Sequence, residues 1–360
     1  MITADSVNAA LRQVIDPNTG RDLVSSRCVK NVQVDGADVS LDVEIGYPAK
    51  SQLPMLRQLV ITALKALGAG NVSANVYQKI VAHTVQRGVK VLPNVKNIIA
   101  VASGKGGVGK STTTANLALA LAAEGARVGV LDADIYGPSQ PTMFGIEGQP
   151  SSTDGKTMEP LSNYGIQVNS IGFLVDASQA LVWRGPIVVQ ALTQLIEQTA
   201  WTELDYLVVD MPPGTGDIQL TMSQKVPLTG AVIVTTPQDI ALIDARRAVS
   251  MFEKVGVPVL GIVENMAVHV CSQCGHAEHI FGEGGGASMA EQYKVDLLGS
   301  LPLAMHIRME ADEGRPTVVA QPESEAARIY MEVARKVAIK VAEKARDMSL
   351  KMPTIVVQQT

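Results

Sequence analysis

Ten consecutive residues, Ser103-Gly104-Lys105-Gly106-Gly107-Val108-Gly109-Lys110-Ser111-Thr112, restrict what this chain can fold into more than any others. From Gly104 to Ser111 they follow the spacing G-x-x-x-x-G-K-[ST] of a phosphate-binding loop. Glycines at 104, 106, 107 and 109 let successive backbone N–H groups curl around phosphate oxygens, because no side chain blocks the approach. Lys110 is then placed to reach the β- and γ-phosphates, and the Ser111 hydroxyl to ligate Mg²⁺. Such a loop belongs between a strand and a helix. Asn97 to Ala102 reads as a buried strand and Ser111 to Ala123 as a helix whose N-terminus faces the anion.

An ordinary phosphate loop has no need of Lys105. A lysine directed away from its own nucleotide can reach phosphate across a dimer interface and stabilise transition-state charge, as an arginine finger does in trans. The plainer alternative is a solvated lysine on a loop. SGKGGVGKST resembles the deviant Walker A motif of the MinD/ParA/nitrogenase-iron-protein class of P-loop ATPases. That resemblance implies two nucleotides sandwiched between two subunits.

From Ile98 onward, predicted strands and helices alternate, the pattern of a mostly parallel, doubly wound α/β sheet covered on both faces. Ligands of such sheets collect at the carboxyl ends of the strands. Two strands end there in aspartates. Leu207-Val208-Val209-Asp210 reads as a Walker B strand whose Asp210 holds Mg²⁺ through water. Met211 to Asp217 reads as a γ-phosphate-sensing switch, with Gly214 or Gly216 offering a backbone N–H. Asp132-Ala133-Asp134 ends the other strand. By resemblance, Asp134 positions the attacking water and Asp132 lies near the metal. For any one aspartate the alternative is a helix cap or turn residue.

Base recognition is less marked. Glu264-Asn265-Met266 follows a central strand, and an asparagine amide can both donate to and accept from an adenine edge. Loop structure explains Asn265 as well; the resemblance assigns it to adenine, with Leu301-Pro302-Leu303 packed beside the ring, and so implies ATP.

Val270-Cys271-Ser272-Gln273-Cys274-Gly275 departs from an ordinary partition ATPase. Cysteines three apart on a turn converge on one soft metal, and Gly275 frees backbone amides to point at sulfur. Two thiolates cannot complete a four-iron cluster, which wants four. A two-fold dimer supplies Cys271 and Cys274 twice. Two other readings compete. His276 and His279 can join the pair in a zinc site, although Cys274-x-His276 is tight for one tetrahedral ion. A thioredoxin-type dithiol would need a different surrounding pattern. Cys28 stands alone and reads as a small buried hydrophobe. His83, His269 and His306 lack ligand spacing and read as structural or surface residues.

Residues 1–90 read as a separate α+β module: helices over Ala4 to Ile15 and Ser51 to Leu67, and strands Val29 to Val34, Val39 to Ile45 and Val72 to Tyr77. DPNTGRDLVSS followed by a hairpin resembles the MIP-type domain of iron–sulfur assembly factors; some members carry a cysteine where this chain has Tyr47-Pro48-Ala49-Lys50. A linker is expected at 91–97, the ATPase domain at 98–351 and a frayed tail at 352–360. Glu323 to Ala345 reads as a helical connection; the basic stretch Arg328 to Lys351, with Ile329, Val333, Val337 and Val341 along one side, is expected to cover the sheet with its basic face in water, a membrane-surface helix being the alternative.

Composition closes off several classes. A formal charge of −5 leaves no footprint for non-specific DNA binding, and 4% aromatic residues leave few stacking platforms for single strands. No basic region followed by an apolar run opens the chain and no apolar segment is long enough to span a bilayer. Three cysteines exclude a disulfide framework and suit a reducing cytoplasm. Together with DADIYGPSQPTMFG (132–145), DMPPGTGD (210–217) and CSQCG (271–275), the loop resembles the Mrp/ApbC family of iron–sulfur cluster carrier ATPases. The family resemblance implies a homodimer that passes a labile cluster, usually 4Fe–4S, to apo-proteins with slow ATP hydrolysis, and cluster assembly scaffolds as partners. It implies neither nucleic acid nor membrane as partner. The rival is a partition or positioning switch ATPase with a structural zinc site.

Overall fold

A computed structural model describes residues 2–82, 89, 92–174, 185–271 and 273–349; the expected tail at 352–360 and His83 lie outside them. The chain divides into two compact units, residues 1–81 with 123–125, and 82–122 with 126–360.

The first unit holds α1 (Ala4–Leu11), β1 (Val29–Asp35), β2 (Asp38–Ile45), α2 (Leu53–Ala66) and β3 (Val72–Gln78). Strands β1 and β2 pair antiparallel around the turn at Gly36, and β3 adds to β2 in parallel. Strict alternation makes β2 one-sided: Val39, Leu41, Val43 and Ile45 are buried. Helix α2 buries Leu56, Val60 and Leu64, one residue per turn, starts with proline in its first turn and gives way to Gly68 at φ +94°. Helix α1 is shorter than its apolar period suggests. After Leu11 the chain turns so that Ile15 bridges to Asp22 and Asp16 N–H donates to the Arg21 carbonyl. Tyr47 is buried and donates to Asp16 Oδ2 at 2.7 Å. Cys28 is 6% exposed, a core residue as its isolation suggested.

The second unit runs β4 (Val95–Ala102), α3 (Lys110–Ala123), β5 (Val128–Asp132), α4 (Gln140–Met143), β6 (Leu161–Asn163), β7 (Ile166–Ser170), α5 (Gly185–Glu197), β8 (Leu204–Asp210), α6 (Asp217–Lys225), β9 (Gly230–Thr235), α7 (Asp239–Lys254), β10 (Val259–Glu264), β11 (His269–Val270), β12 (Ala277–Glu278), α8 (Gly285–Tyr293), β13 (Leu297–Ser300), α9 (Met305–Asp312), α10 (Thr317–Ala320) and α11 (Glu325–Ser349). Strand order is β13-β10-β9-β4-β8-β5-β7-β6, parallel throughout except for the antiparallel edge β6. Every residue of β5, β8 and β9 is buried, as expected of strands covered by helices on both faces. Strand β4 starts at Val95, paired with Leu204, so three residues of the expected linker belong to the sheet. Because β4 lies between β8 and β9, this unit's first crossover begins mid-sheet, and the loop after β4 emerges at a topological switch point.

Candidate functional site

At the end of β4 the loop's glycines serve different ends. Gly107 and Gly109 sit at φ +82° and +81°, where a Cβ is disfavoured. Gly104 is dictated by space. A Cβ there would stand 2.1 Å from the Asp244 carbonyl carbon and 2.5 Å from the Ala245 nitrogen, so the loop rests on the backbone of α7. Ser103 Oγ donates to the Lys105 carbonyl at 2.8 Å and holds the loop's first turn. Gly106 faces open space.

Strands β5 and β8 are in register at Asp132 and Asp210, which places the two carboxylates side by side at the carboxyl edge. Lys110 Nζ lies 2.5 Å from Asp210 Oδ1 and 3.6 Å from Asp134 Oδ2, and Thr114, one helical turn after Lys110, donates to the same Asp210 oxygen at 3.2 Å. Burial first, opposed by Lys110, holds the Asp134 carboxyl above the ordinary carboxylate range. Asp132 is fully buried: Oδ2 accepts the Ser139 and Gln140 N–H groups at 3.0 Å each and the Ser170 hydroxyl at 3.1 Å, while Oδ1 accepts the Asp134 N–H at 3.2 Å. With its oxygens so occupied, it organises the 132–140 loop. Burial and then the neighbouring Asp210 charge push its carboxyl up to about 7.

Asp132 and Asp134, both held above the ordinary carboxylate range beside Asp210 and a single lysine, mark a pocket crowded with acids, which suits a divalent cation. Among the described residues no three His, Cys, Asp or Glu are grouped so as to hold a metal ion by themselves. Ser111 Oγ, Asp210 and the buried, unpartnered Oε1 of Gln140 are the oxygens offered here. Mg²⁺ fits that donor set.

Other expected residues are placed differently. Asn265 Nδ2 donates to the Val108 carbonyl at 2.9 Å, and a Cβ on Gly109 would meet that nitrogen at 2.1 Å, so the amide grips the phosphate loop itself. The Gly214 N–H, expected to face phosphate, donates to the Ser103 carbonyl at 2.9 Å; Gly216 caps α6. Lys105 is half-exposed, and among the described residues no hydrogen bond or ion pair holds its ammonium. Sequence reasoning passed over Gln140 and Thr114. The four-residue step from Lys110 to Thr114 on one helix was a readable signal; Gln140 reaches Asp210 only through the turn that Asp132 anchors.

The cysteines sit on the turn of a two-stranded ribbon, β11 and β12, with Cys271 partly exposed and Cys274 exposed. The Cys271 N–H donates to the His276 carbonyl at 2.9 Å and the Gly275 N–H to the Cys271 carbonyl at 2.8 Å. Gly275 therefore closes the turn, at φ +72°, and its amide does not point at sulfur. The N–H groups that do so belong to Gln273 and Cys274, and they hold the Cys271 thiol below the ordinary cysteine value. His279 Nδ1 bonds the Ala267 carbonyl at 2.7 Å and its Nε2 lies 3.8 Å from Glu283, so this ring is committed away from the cysteines.

Loop, flanking strand-end acids and central parallel sheet are those of a P-loop NTPase, an enzyme class that hydrolyses nucleoside triphosphates. Residues 94–338 match the family described as NUBPL iron-transfer P-loop NTPase, and residues 4–76 match one described as iron–sulfur cluster assembly protein. The chain is 62% identical over 279 residues to the iron–sulfur cluster carrier protein of Pseudomonas fragi, spanning 77% of this chain and 96% of that one. It is 50% identical over 341 residues to the iron–sulfur cluster carrier protein of Haemophilus influenzae, spanning 93% and 92%. A nucleotide-binding protein from Archaeoglobus fulgidus, solved with ADP, superposes at TM-score 0.58 and 40% identity over 66% of this chain and 93% of its own. The Pyrococcus furiosus cell division ATPase MinD shares the fold at TM-score 0.52 and 24% identity over 67% and 98%. This chain belongs to the iron–sulfur cluster carrier family of P-loop NTPases.

Proposed function

We propose that this chain, as a two-fold homodimer in the cytoplasm, carries an iron–sulfur cargo of the 4Fe–4S type between Cys271 and Cys274 of both copies. It delivers the cluster to apo-proteins under control of Mg²⁺-dependent ATP hydrolysis. The carrying observation is the ribbon turn: exposed Cys274 and partly exposed Cys271, the latter with backbone N–H groups aimed at its sulfur, and no third ligand from the same chain among the described residues. That is half of a four-thiolate site, and a second copy completes it. The names of the relatives support the cargo, and the ADP of the Archaeoglobus protein supports the nucleotide. The zinc-bearing switch finds less support, because His279 is turned to Ala267 and Glu283.

In this reading Mg²⁺ supplies positive charge for the phosphate oxygens at Ser111 and Asp210. Arriving phosphates draw the Lys110 ammonium off Asp210, which bares Asp134 to hold the attacking water. Lys105 of the second copy steadies the charge that develops on the transferred group. The cysteine ribbon follows the loop by a short route. Asn265 grips Val108, Ala267 N–H donates to the Leu301 carbonyl at 2.9 Å, and the Ala267 carbonyl holds His279 next to the ribbon. A nucleotide that claims the Asn265 amide for adenine pulls on this route.

Anaerobic reconstitution with iron and sulfide, followed by visible and Mössbauer spectra, sedimentation and transfer to an apo-ferredoxin, tests the reading. A four-iron spectrum on a dimer that empties into the acceptor is expected. A cluster-bearing monomer, or stoichiometric zinc with transfer indifferent to Cys274→Ala, overturns it.

A further inference from the structure

Gln140 is fully buried at the start of α4, and its side chain reaches two groups of the nucleotide pocket. Nε2 donates to Asp210 Oδ2 at 2.8 Å and to the Ser111 carbonyl at 3.1 Å. Both of those atoms accept only, so chemistry fixes the amide: a flipped side chain would set its oxygen against a carboxylate and a carbonyl. Oε1 is therefore the atom left over, buried and without a hydrogen-bond partner. A buried orphan acceptor costs on the order of 1–3 kcal/mol, so it is retained only where something compensates. Oε1 shares the amide carbon with Nε2, about 2.2 Å away, which keeps it within about 5.3 Å of Asp210 Oδ2 and the Ser111 carbonyl, the reach of a bridging water.

We infer that Gln140 is the positioning residue of the divalent-metal site: Nε2 sets the direction of the Asp210 carboxylate, and Oε1 accepts a hydrogen bond from hydrated Mg²⁺ when nucleotide is bound. Two features agree. Asp210 keeps Gln140 on Oδ2 when Lys110 leaves Oδ1, so its orientation survives the arrival of phosphate. The Gln140 main chain is itself held, its N–H on Asp132 Oδ2 at 3.0 Å, which gives that buried acid a purpose beyond the loop. The inference rests on the Mg²⁺-dependent reading above.

The test is Mn²⁺ binding to the full chain with ADP, read by electron paramagnetic resonance, alongside ADP binding in chelator by calorimetry. Gln140→Leu, which removes both polar atoms at similar volume, should weaken Mn²⁺ by about 10–100-fold, the usual scale for losing an outer-sphere partner, and leave metal-free ADP affinity within about twofold. Gln140→Glu keeps an oxygen at the Oε1 position but sets a second carboxylate oxygen where Nε2 met Asp210 and the Ser111 carbonyl, so it too should weaken Mn²⁺ and spare metal-free ADP affinity. A merely structural role would lower metal-free ADP affinity along with Mn²⁺ affinity. Mn²⁺ affinity unchanged in either variant, or ADP affinity in chelator falling as far as Mn²⁺ affinity, overturns the inference, and Gln140→Glu decides alone if the leucine variant does not fold. Wild-type protein that binds no Mn²⁺ with ADP would instead sink the Mg²⁺ reading itself.

Discussion

The phosphate cradle and the cysteine ribbon are built on opposite principles. The cradle's frame is built within one chain, with only the proposed Lys105 coming from a second copy: Lys110, Asp210, Thr114, Gln140 and the Ser103–Gly214 contact knit loop, helix and strand ends together, and Asp210 and Asp132 have no exposure at all. The ribbon is two strands of two residues each, carrying exposed Cys274 and, beside Cys271, exposed Val270. A site that performs the same reaction on every turnover gains from rigid preorganisation. A site that must take up and surrender cargo gains from being incomplete, since each chain alone binds weakly and two together bind well. Each region can be attacked without the other.

The largest effect is expected at Lys110. Lys110→Ala removes the charge for phosphate and strands Asp210, buried, without its counter-ion; steady-state ATPase assays should show a loss of at least about 10³-fold. Retained turnover would mean that the cradle is not the engine. Almost as large is the change at the ribbon. Cys271→Ala or Cys274→Ala should abolish cluster retention on desalting while ATPase stays within about twofold of wild type, because the turn lies outside the cradle. Cys28→Ala should alter neither readout, and ATPase that collapsed with the ribbon cysteines would dissolve the contrast between the regions.

Gly104→Ala should be severe for stability without touching a ligand. The added methyl would fall 2.1 Å from the Asp244 backbone, and denaturant titration should report a loss of about 3 kcal/mol. Lys105→Ala makes the subtler cut: nucleotide affinity unchanged by calorimetry, kcat down by about 10²-fold if the lysine acts on the second copy's nucleotide. Wild-type turnover in that variant would return Lys105 to a solvated loop residue.

The smallest expected effect is on pH dependence. Asp132 is raised from 3.8 to about 7 by burial and by Asp210. A folded chain that holds this proton while the unfolded chain has released it is stabilised at acid pH and loses that contribution as pH climbs to 7. Urea midpoints of nucleotide-free protein should therefore decline between about pH 5 and about pH 7.5, by about 2 kcal/mol from this group. In Asp132→Asn, which cannot ionise, the decline should flatten; an identical slope would assign it to another carboxyl.

What could be read from the sequence was whatever depends on near neighbours. The loop spacing, the aspartates at strand ends and the β1–β2 turn at Asp35 to Asp38 each follow from a few adjacent residues, and so does the burial of Cys28. What escaped depends on distant partners. Helix α1 stops at Leu11 because Ile15 is needed against Asp22, and β4 begins inside a seeming linker because Val95 finds Leu204. The contact of Asn265 with the Val108 carbonyl joins residues 157 apart in the chain, and the amides aimed at the Cys271 sulfur, those of Gln273 and Cys274, are picked out only by the folded turn that Gly275 closes. Gln140 lay in plain view within 132–145, but its two contacts at Ser111 and Asp210 come from elements far apart in the chain.

The seating of Gly104 on α7 has a mechanical consequence. No side chain cushions that contact, and a sixteen-residue helix bears on the loop through bare main chain. Bulk added at position 104 would therefore press on the main chain of α7 directly, with no side chain between to yield.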